Sequence, residues 1–132
     1  MALLADYANI AQGGKLNVLG IFSAIYAQAF PAVHAQMQLI FMWEANRVES
    51  GRVKQIEIQL CDEDGKKMGS LGADFKVPEG IPGKKIHGNQ IIGFNNIAFP
   101  KAGAYVFNIL INGDVKGEAD FDVLPLPKES PK

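Results

Sequence analysis

The side chains best suited to binding a metal or moving a proton in this 132-residue chain are two histidines, one cysteine and fourteen acidic residues. His34 and His87 lie far apart and each opens an apolar run, which suits solvated rim histidines better than metal ligands. Cys61 falls in an alternating run, with Ile56, Ile58 and Leu60 facing one way and Glu57, Gln59 and Cys61 the other. It reads as a small hydrophobe on a half-covered sheet face, with nothing nearby to activate the thiol. Asp62, Glu63 and Asp64 offer calcium-type oxygens but lack the twelve-residue EF-hand spacing, and Asp64-Gly65 suits a turn. Ser23, Ser50 and Ser70 stand outside any Gly-x-Ser-x-Gly context, and neither Gly13-Gly14 nor Gly80–Gly83 leads into a phosphate-binding Lys-Ser/Thr. Lys84-Lys85, joined by Lys66-Lys67 or by Arg52 and Lys54, could form a small anion-binding rim; solvated lysines are the simpler expectation. Catalysis would need groups such as Asp6, Glu44, Asp74 or His87 to converge from distant strands. No catalytic, cofactor-binding or metal-binding residue is assigned, and no cofactor is expected.

The background into which these groups are set is apolar and nearly neutral. Hydrophobic residues make up 48%, and 13 basic and 14 acidic residues are interspersed, for a formal charge of −1. That balance argues against nucleic acid as a partner. A lone cysteine excludes an intrachain disulfide. The opening "MALLADYANI" has no basic leader and meets Asp6 early, and no stretch approaches the roughly 20 apolar residues of a membrane-spanning helix. The expected location is the cytoplasm.

The positioning elements are strands. In Ala102 to Leu124, Tyr105, Phe107, Ile109 and Ile111 alternate along one arm, and Val115, Gly117, Ala119, Phe121 and Val123 along the other. A three-residue loop, Ile111-Asn112-Gly113, would set Ile109 opposite Val115 and Phe107 opposite Gly117. A two-residue Asn112-Gly113 loop would mix the faces, so the longer loop is expected. Parity points the other way after Val53 to Cys61: a two-residue Asp64-Gly65 loop sets Ile58 opposite Leu71 and Ile56 opposite Ala73, on the returning strand Lys67 to Val77.

Further strands are expected at Ala2–Ile10, Lys15–Phe22, His34–Glu44 and His87–Phe99. Gly20 suggests a bulge or close backbone approach, and the alternation slips at Asn95-Asn96. Ser23 to Phe30 is balanced between a helical turn and an extended run. In His34–Glu44, Met37, Leu39, Phe41 and Trp43 share a face, while Gln36, Gln38, Ile40 and Met42 drift from polar to apolar, as in a strand entering a doubly covered centre. Seven or eight strands without a long amphipathic helix give an all-β chain: a two-sheet antiparallel β-sandwich over residues 1–127, with 128–132 a flexible tail.

Gly103-Ala104-Tyr105, followed by an alternating strand, a turn and a last strand, resembles the closing hairpin of immunoglobulin-like domains, in which such a tyrosine ties a corner through its hydroxyl. The inter-sheet cysteines of antibody domains are missing, so the likeness is one of architecture. "LLADYA" at Leu3–Ala8, "GGKLNVLGIF" at Gly13–Phe22, "FPA" at Phe30–Ala32 and the closing "GAYVFNILING" resemble a family of small, uncharacterised bacterial β-sandwich proteins. That resemblance covers nearly the whole chain and implies a fold but no catalytic residues.

The expected function is a non-enzymatic structural or protein-interaction module, with a protein partner or self-association through strand edges. The neutral polar residues Gln36, Gln38, Gln55, Gln59, Asn89 and Gln90 suit such edges. The alternative is a small-ligand or carbohydrate-binding sandwich using Asn89, Asn95, Asn96 and Trp43, although Trp43 is patterned as core.

Overall fold

The computed structural model describes residues 1–127; the tail expected over 128–132 lies outside them. Nine strands follow in order among the described residues: β1 (Ala2–Ile10), β2 (Leu16–Phe22), β3 (Ala24–Ala27), β4 (Ala32–Ala45), β5 (Val53–Asp62), β6 (Lys67–Lys76), β7 (Ile86–Phe99), β8 (Gly103–Ile111) and β9 (Asp114–Pro125). One 3-10 turn, Arg47–Glu49, interrupts the link between β4 and β5. The strands form a four-stranded sheet, β2-β1-β4-β7, and a five-stranded sheet, β3-β9-β8-β5-β6.

The expected seven or eight strands become nine because Ala24–Ala27, within the undecided Ser23–Phe30, is extended. There Ile25 buries its side chain while the Asp122 N–H donates to the Ser23 carbonyl and the Leu126 N–H to that of Ala27. These bonds hold β3 parallel to β9, an exception to the expected antiparallel pairing.

The core lies between the two sheets. Leu4, Met37, Leu39 and Phe41 come from one sheet and Ile58, Tyr105, Phe107, Ile109 and Phe121 from the other. The ring of Phe107 stacks between Phe94, at 4.9 Å, and Phe121, at 5.4 Å, while Phe99 meets Tyr105 edge-on at 4.9 Å. The Tyr105 hydroxyl donates to the Lys101 carbonyl at 2.6 Å, the corner tie that the closing hairpin suggested. Trp43 packs on Phe75 and lies so close over Gly88 that a Cβ there would sit 2.1 Å from the indole.

The four-stranded sheet is bent at two places where its alternation slips. Phe94 and Phe99 have opposite parity yet both face the core, because Asn96 between them takes a left-handed φ of 55°. The second slip lies at Asp6, opposite Gly20. Gly20 has φ 70°, and a Cβ on it would come within 2.4 Å of the Asp6 carboxylate. The ladder keeps its register here, so the expected bulge or backbone approach is instead a left-handed bend that makes room for the Asp6 side chain. Beyond the bend, Ala8, Leu16 and Val18 pack with Ala5 and Ile40 in a cluster separate from the main core. The Ala8 N–H also donates to the Gln38 side chain at 2.5 Å. The far half of the β1–β2 hairpin thus covers Ile40 from outside, the second cover that the polar-to-apolar drift along β4 called for.

Both hairpin turns differ from expectation, and for one reason. The β8–β9 turn has two residues, Asn112 and Gly113 at φ 50° and 87°, with Ile111 paired to Asp114. A bulge after Leu110–Val115 then sets Ile109 opposite Gly117 and Phe107 opposite Ala119, restoring a common apolar face. In the β5–β6 hairpin the loop has three residues, Glu63-Asp64-Gly65, closed by the Asp62 N–H to the Lys66 carbonyl. A bulge at Leu60/Cys61 restores Ile58 opposite Leu71 and Ile56 opposite Ala73, as expected. Parity selects turn length only in a ladder without bulges.

Replacing Gly88 by Val is expected to displace the Trp43 indole and cost about 3 kcal/mol, as overpacking of a filled site does. Urea unfolding measures it; a loss below about 1 kcal/mol would contradict the packing described.

Candidate functional site

Among the described residues four strand edges are left without a neighbour: β2 and β7 in one sheet, β3 and β6 in the other. Two of them offer little continuous backbone to a partner: β3 has four residues, and β2 is bent at Gly20. β7 is bent at Asn96 but runs without a positive φ over 86–95, and what sets β6 apart from it is the open apolar groove beside Leu71. β6 has ten residues, "KMGSLGADFK", with no positive-φ position. It also lacks a central proline or inward charge, the usual devices that blunt an edge.

The polarity of the β6 backbone follows from its neighbours. The Asn112 N–H donates to the Gln55 carbonyl and the Gln55 N–H to the Asn112 side chain, so Gln55 turns its main-chain groups toward β8. Its neighbours Ile56 and Ile58 therefore turn theirs toward β6 and pair with Ala73 and Leu71. At the far end the Val77 N–H donates to the Arg52 carbonyl and the Val77 carbonyl accepts from Gly51, in the same phase. The N–H and C=O groups of Ser70, Gly72 and Asp74 consequently point outward, away from the sheet.

The inner face of the same edge is apolar and open. Gly69, Leu71, Ala73 and Phe75 share the core-facing side of β6. Leu71 is 36% exposed, whereas its cross-strand partner Ile58 is 1% exposed. A groove of about 430 Å³ runs beside it, lined by Met68, Leu71, Ile58, Phe94, Ile97 and Phe107. The sandwich is unsealed on this flank because Gly69 and Ala73 carry too little side chain to close it.

The residues that could have carried chemistry are dispersed. Glu44 and His87 face each other across β4 and β7, 3.8 Å apart and both well exposed. Asp6 lies against Gly20, and Asp74 pairs in register with Gln55 on the other sheet, so neither joins them. His34 departs from the exposed rim expected for it: its ring packs on Phe22, and its Nε2 is buried without a hydrogen-bond partner. Cys61 is buried, 3.7 Å from the Asn108 amide nitrogen, which fits a small hydrophobe. Asp62 accepts from the Asp64 and Lys66 N–H groups as part of its turn. No group of three or more His, Cys, Asp or Glu suited to a metal ion occurs among the described residues.

The lysine rim and the sugar-type cluster do not assemble either. Lys54 pairs with Glu49, Lys85 lies 3.8 Å from Glu44, and Lys101 lies 4.0 Å from Glu63. Trp43 sits opposite Gly88 and Asn89 opposite Met42, so alternation sends Trp43 inward and Asn89 to the outer face. The glutamines divide as well: Gln38 binds Ala8, while Gln59 donates to Glu57 on the other sheet. A second cleft of about 430 Å³ opens where Trp43, Phe75, Glu49 and Lys54 meet. Lys54 holds the Glu49 carboxyl below the usual carboxylate range, helped by the Asn46 N–H.

The fold and this edge define an all-β protein of two packed sheets, with β6 a long edge strand paired on one side by β5. The chain belongs to the family of unknown function DUF6941, whose model matches residues 1–124. No curated protein matches it in sequence. Among solved structures it is similar to the Pseudomonas fluorescens alkylpurine DNA glycosylase AlkC bound to DNA containing an abasic site analog, at 16% identity and a TM-score of 0.44. That match covers 76% of this chain and 27% of the glycosylase chain. No helix long and apolar enough to cross a membrane is present among the described residues.

Because the folded-state pKa of Glu49 is depressed, its pairing contributes stability above the unfolded carboxylate pKa and loses it as pH falls through the folded value. Lys54→Met is expected to move the Glu49 titration upward by NMR. The stability gap between the two proteins should narrow as pH drops below about 4. An unchanged Glu49 titration in the variant would contradict the pairing.

Proposed function

We propose that the protein is a non-enzymatic interaction module that binds an extended polypeptide segment by strand addition along β6. The observation that carries this reading is the coincidence, on one edge, of outward main-chain groups at Ser70, Gly72 and Asp74 with the apolar groove beside Leu71. The first supplies a ladder of donors and acceptors; the second receives alternate side chains of the added strand. Within the two-sheet class we read the arrangement as immunoglobulin-like, with support from the Tyr105 tie and from β3 lying parallel to the closing strand β9.

Selection of a random heptapeptide phage library on the immobilised protein tests strand addition. Enriched peptides should carry apolar residues at alternate positions and lack a central proline. Ser70→Pro removes one outward N–H and leaves the bonds to β5 in place, so it should weaken those peptides roughly tenfold or more. Enrichment of peptides that bind Ser70→Pro and wild type equally would contradict the reading.

A further inference from the structure

The sequence of β6 is complementary to itself. Its outward-facing residues are Ser70, Gly72 and Asp74, flanked by Lys67 and Lys76. An antiparallel pairing of two such edges about a two-fold axis at Gly72 brings Gly72 against Gly72 of the second copy. Ser70 then meets Asp74, Leu71 meets Ala73, and Lys76 meets Met68. No like charges stand opposite one another, and each Asp74 carboxylate gains a hydroxyl donor. Gly72 has no side chain at the axis, and its φ is not left-handed, so the two backbones can approach at ordinary sheet spacing.

From this we infer that the strand added at β6 is the β6 of a second copy, which joins two five-stranded sheets into one continuous ten-stranded sheet. The inference rests on the strand-addition reading and names its occupant. About six main-chain hydrogen bonds form at the three central pairs, because Ser70, Gly72 and Asp74 are all in the outward phase. The same register sets each Leu71, 36% exposed in the single chain, beside Ala73 of the second copy on the core-facing side. Two exposed apolar grooves are thereby drawn together on one flank of the joined sheet. A one-residue slip would set inward-phase residues opposite outward-phase ones and lose the ladder.

Light scattering over a concentration series, on the wild type and three variants, tests the pairing. The wild type should pass from monomer to dimer. Gly72→Pro, which removes the N–H at the axis, should remain monomeric while circular dichroism shows an intact sheet signal. Ser70→Asp places a carboxylate opposite Asp74 and should weaken the dimer about tenfold, whereas Ser70→Lys should tighten it by a similar factor. The Ser70 variants change an exposed side chain alone, so they decide the matter even if Gly72→Pro fails to fold. As an independent register check, L71C/A73C in a Cys61→Ala background should oxidise to a covalent dimer, since those positions form a non-hydrogen-bonded pair across the axis. A wild type that stays monomeric throughout overturns self-pairing and leaves the peptide selection to judge strand addition. A dimer indifferent to every β6 change overturns self-pairing and places association elsewhere.

Discussion

The strands of both sheets must present apolar side chains to one layer shared between them, and most of the structure, the outer cluster around Ile40 apart, follows from that constraint. Phe107 marks the centre of the layer, stacked between Phe94 of one sheet and Phe121 of its own. Side chains alternate along a strand, so any slip in the apolar pattern has to be absorbed by the backbone or the layer loses a side chain to solvent. The slips are absorbed at Asn96, at Gly20 and at the two hairpin bulges. Gly117 shows how tightly the layer closes: a Cβ there would lie 3.0 Å from the Phe41 ring of the facing sheet.

Much of this was legible in the sequence because burial writes a period of two into it. Met37, Leu39, Phe41, Tyr105 and Phe107 were placed on the correct faces, and the bend at Asn95-Asn96 announced itself as a break in that period. At Gly20 the alternation of Leu16, Val18 and Phe22 ran on unbroken, and only the glycine hinted at an irregularity. The turn types were misread because a bulge changes parity by one, as one extra loop residue does. From Ile58 and Leu71 alone, a two-residue loop and a three-residue loop with a bulge give the same pairing. Ser23–Phe30 was undecidable for a different reason: its few side chains suit either state, and the deciding bonds come from Asp122 and Leu126, about a hundred residues away.

The place of the proposed site was not legible in the sequence. Strand edges were expected to serve association, yet the glutamines proposed to mark them are scattered over both sheets. The edge that stands out is marked by small residues instead, Gly69 and Ala73, which leave the groove beside Leu71 open. Which strand ends a sheet, and which way its N–H groups point, depends on sheet order. Local composition carries no record of that order.

The direction of the β6 backbone is the claim on which the functional account stands, and amide hydrogen exchange across a protein dilution series reads it residue by residue. Leu71 and Ala73, bonded to β5, should be protected at every concentration, while Ser70, Gly72 and Asp74 exchange rapidly when dilute and gain protection as concentration rises. If the two sets exchanged alike, or if Ser70, Gly72 and Asp74 were unprotected even at the highest concentration, the self-pairing edge described for β6 would be contradicted.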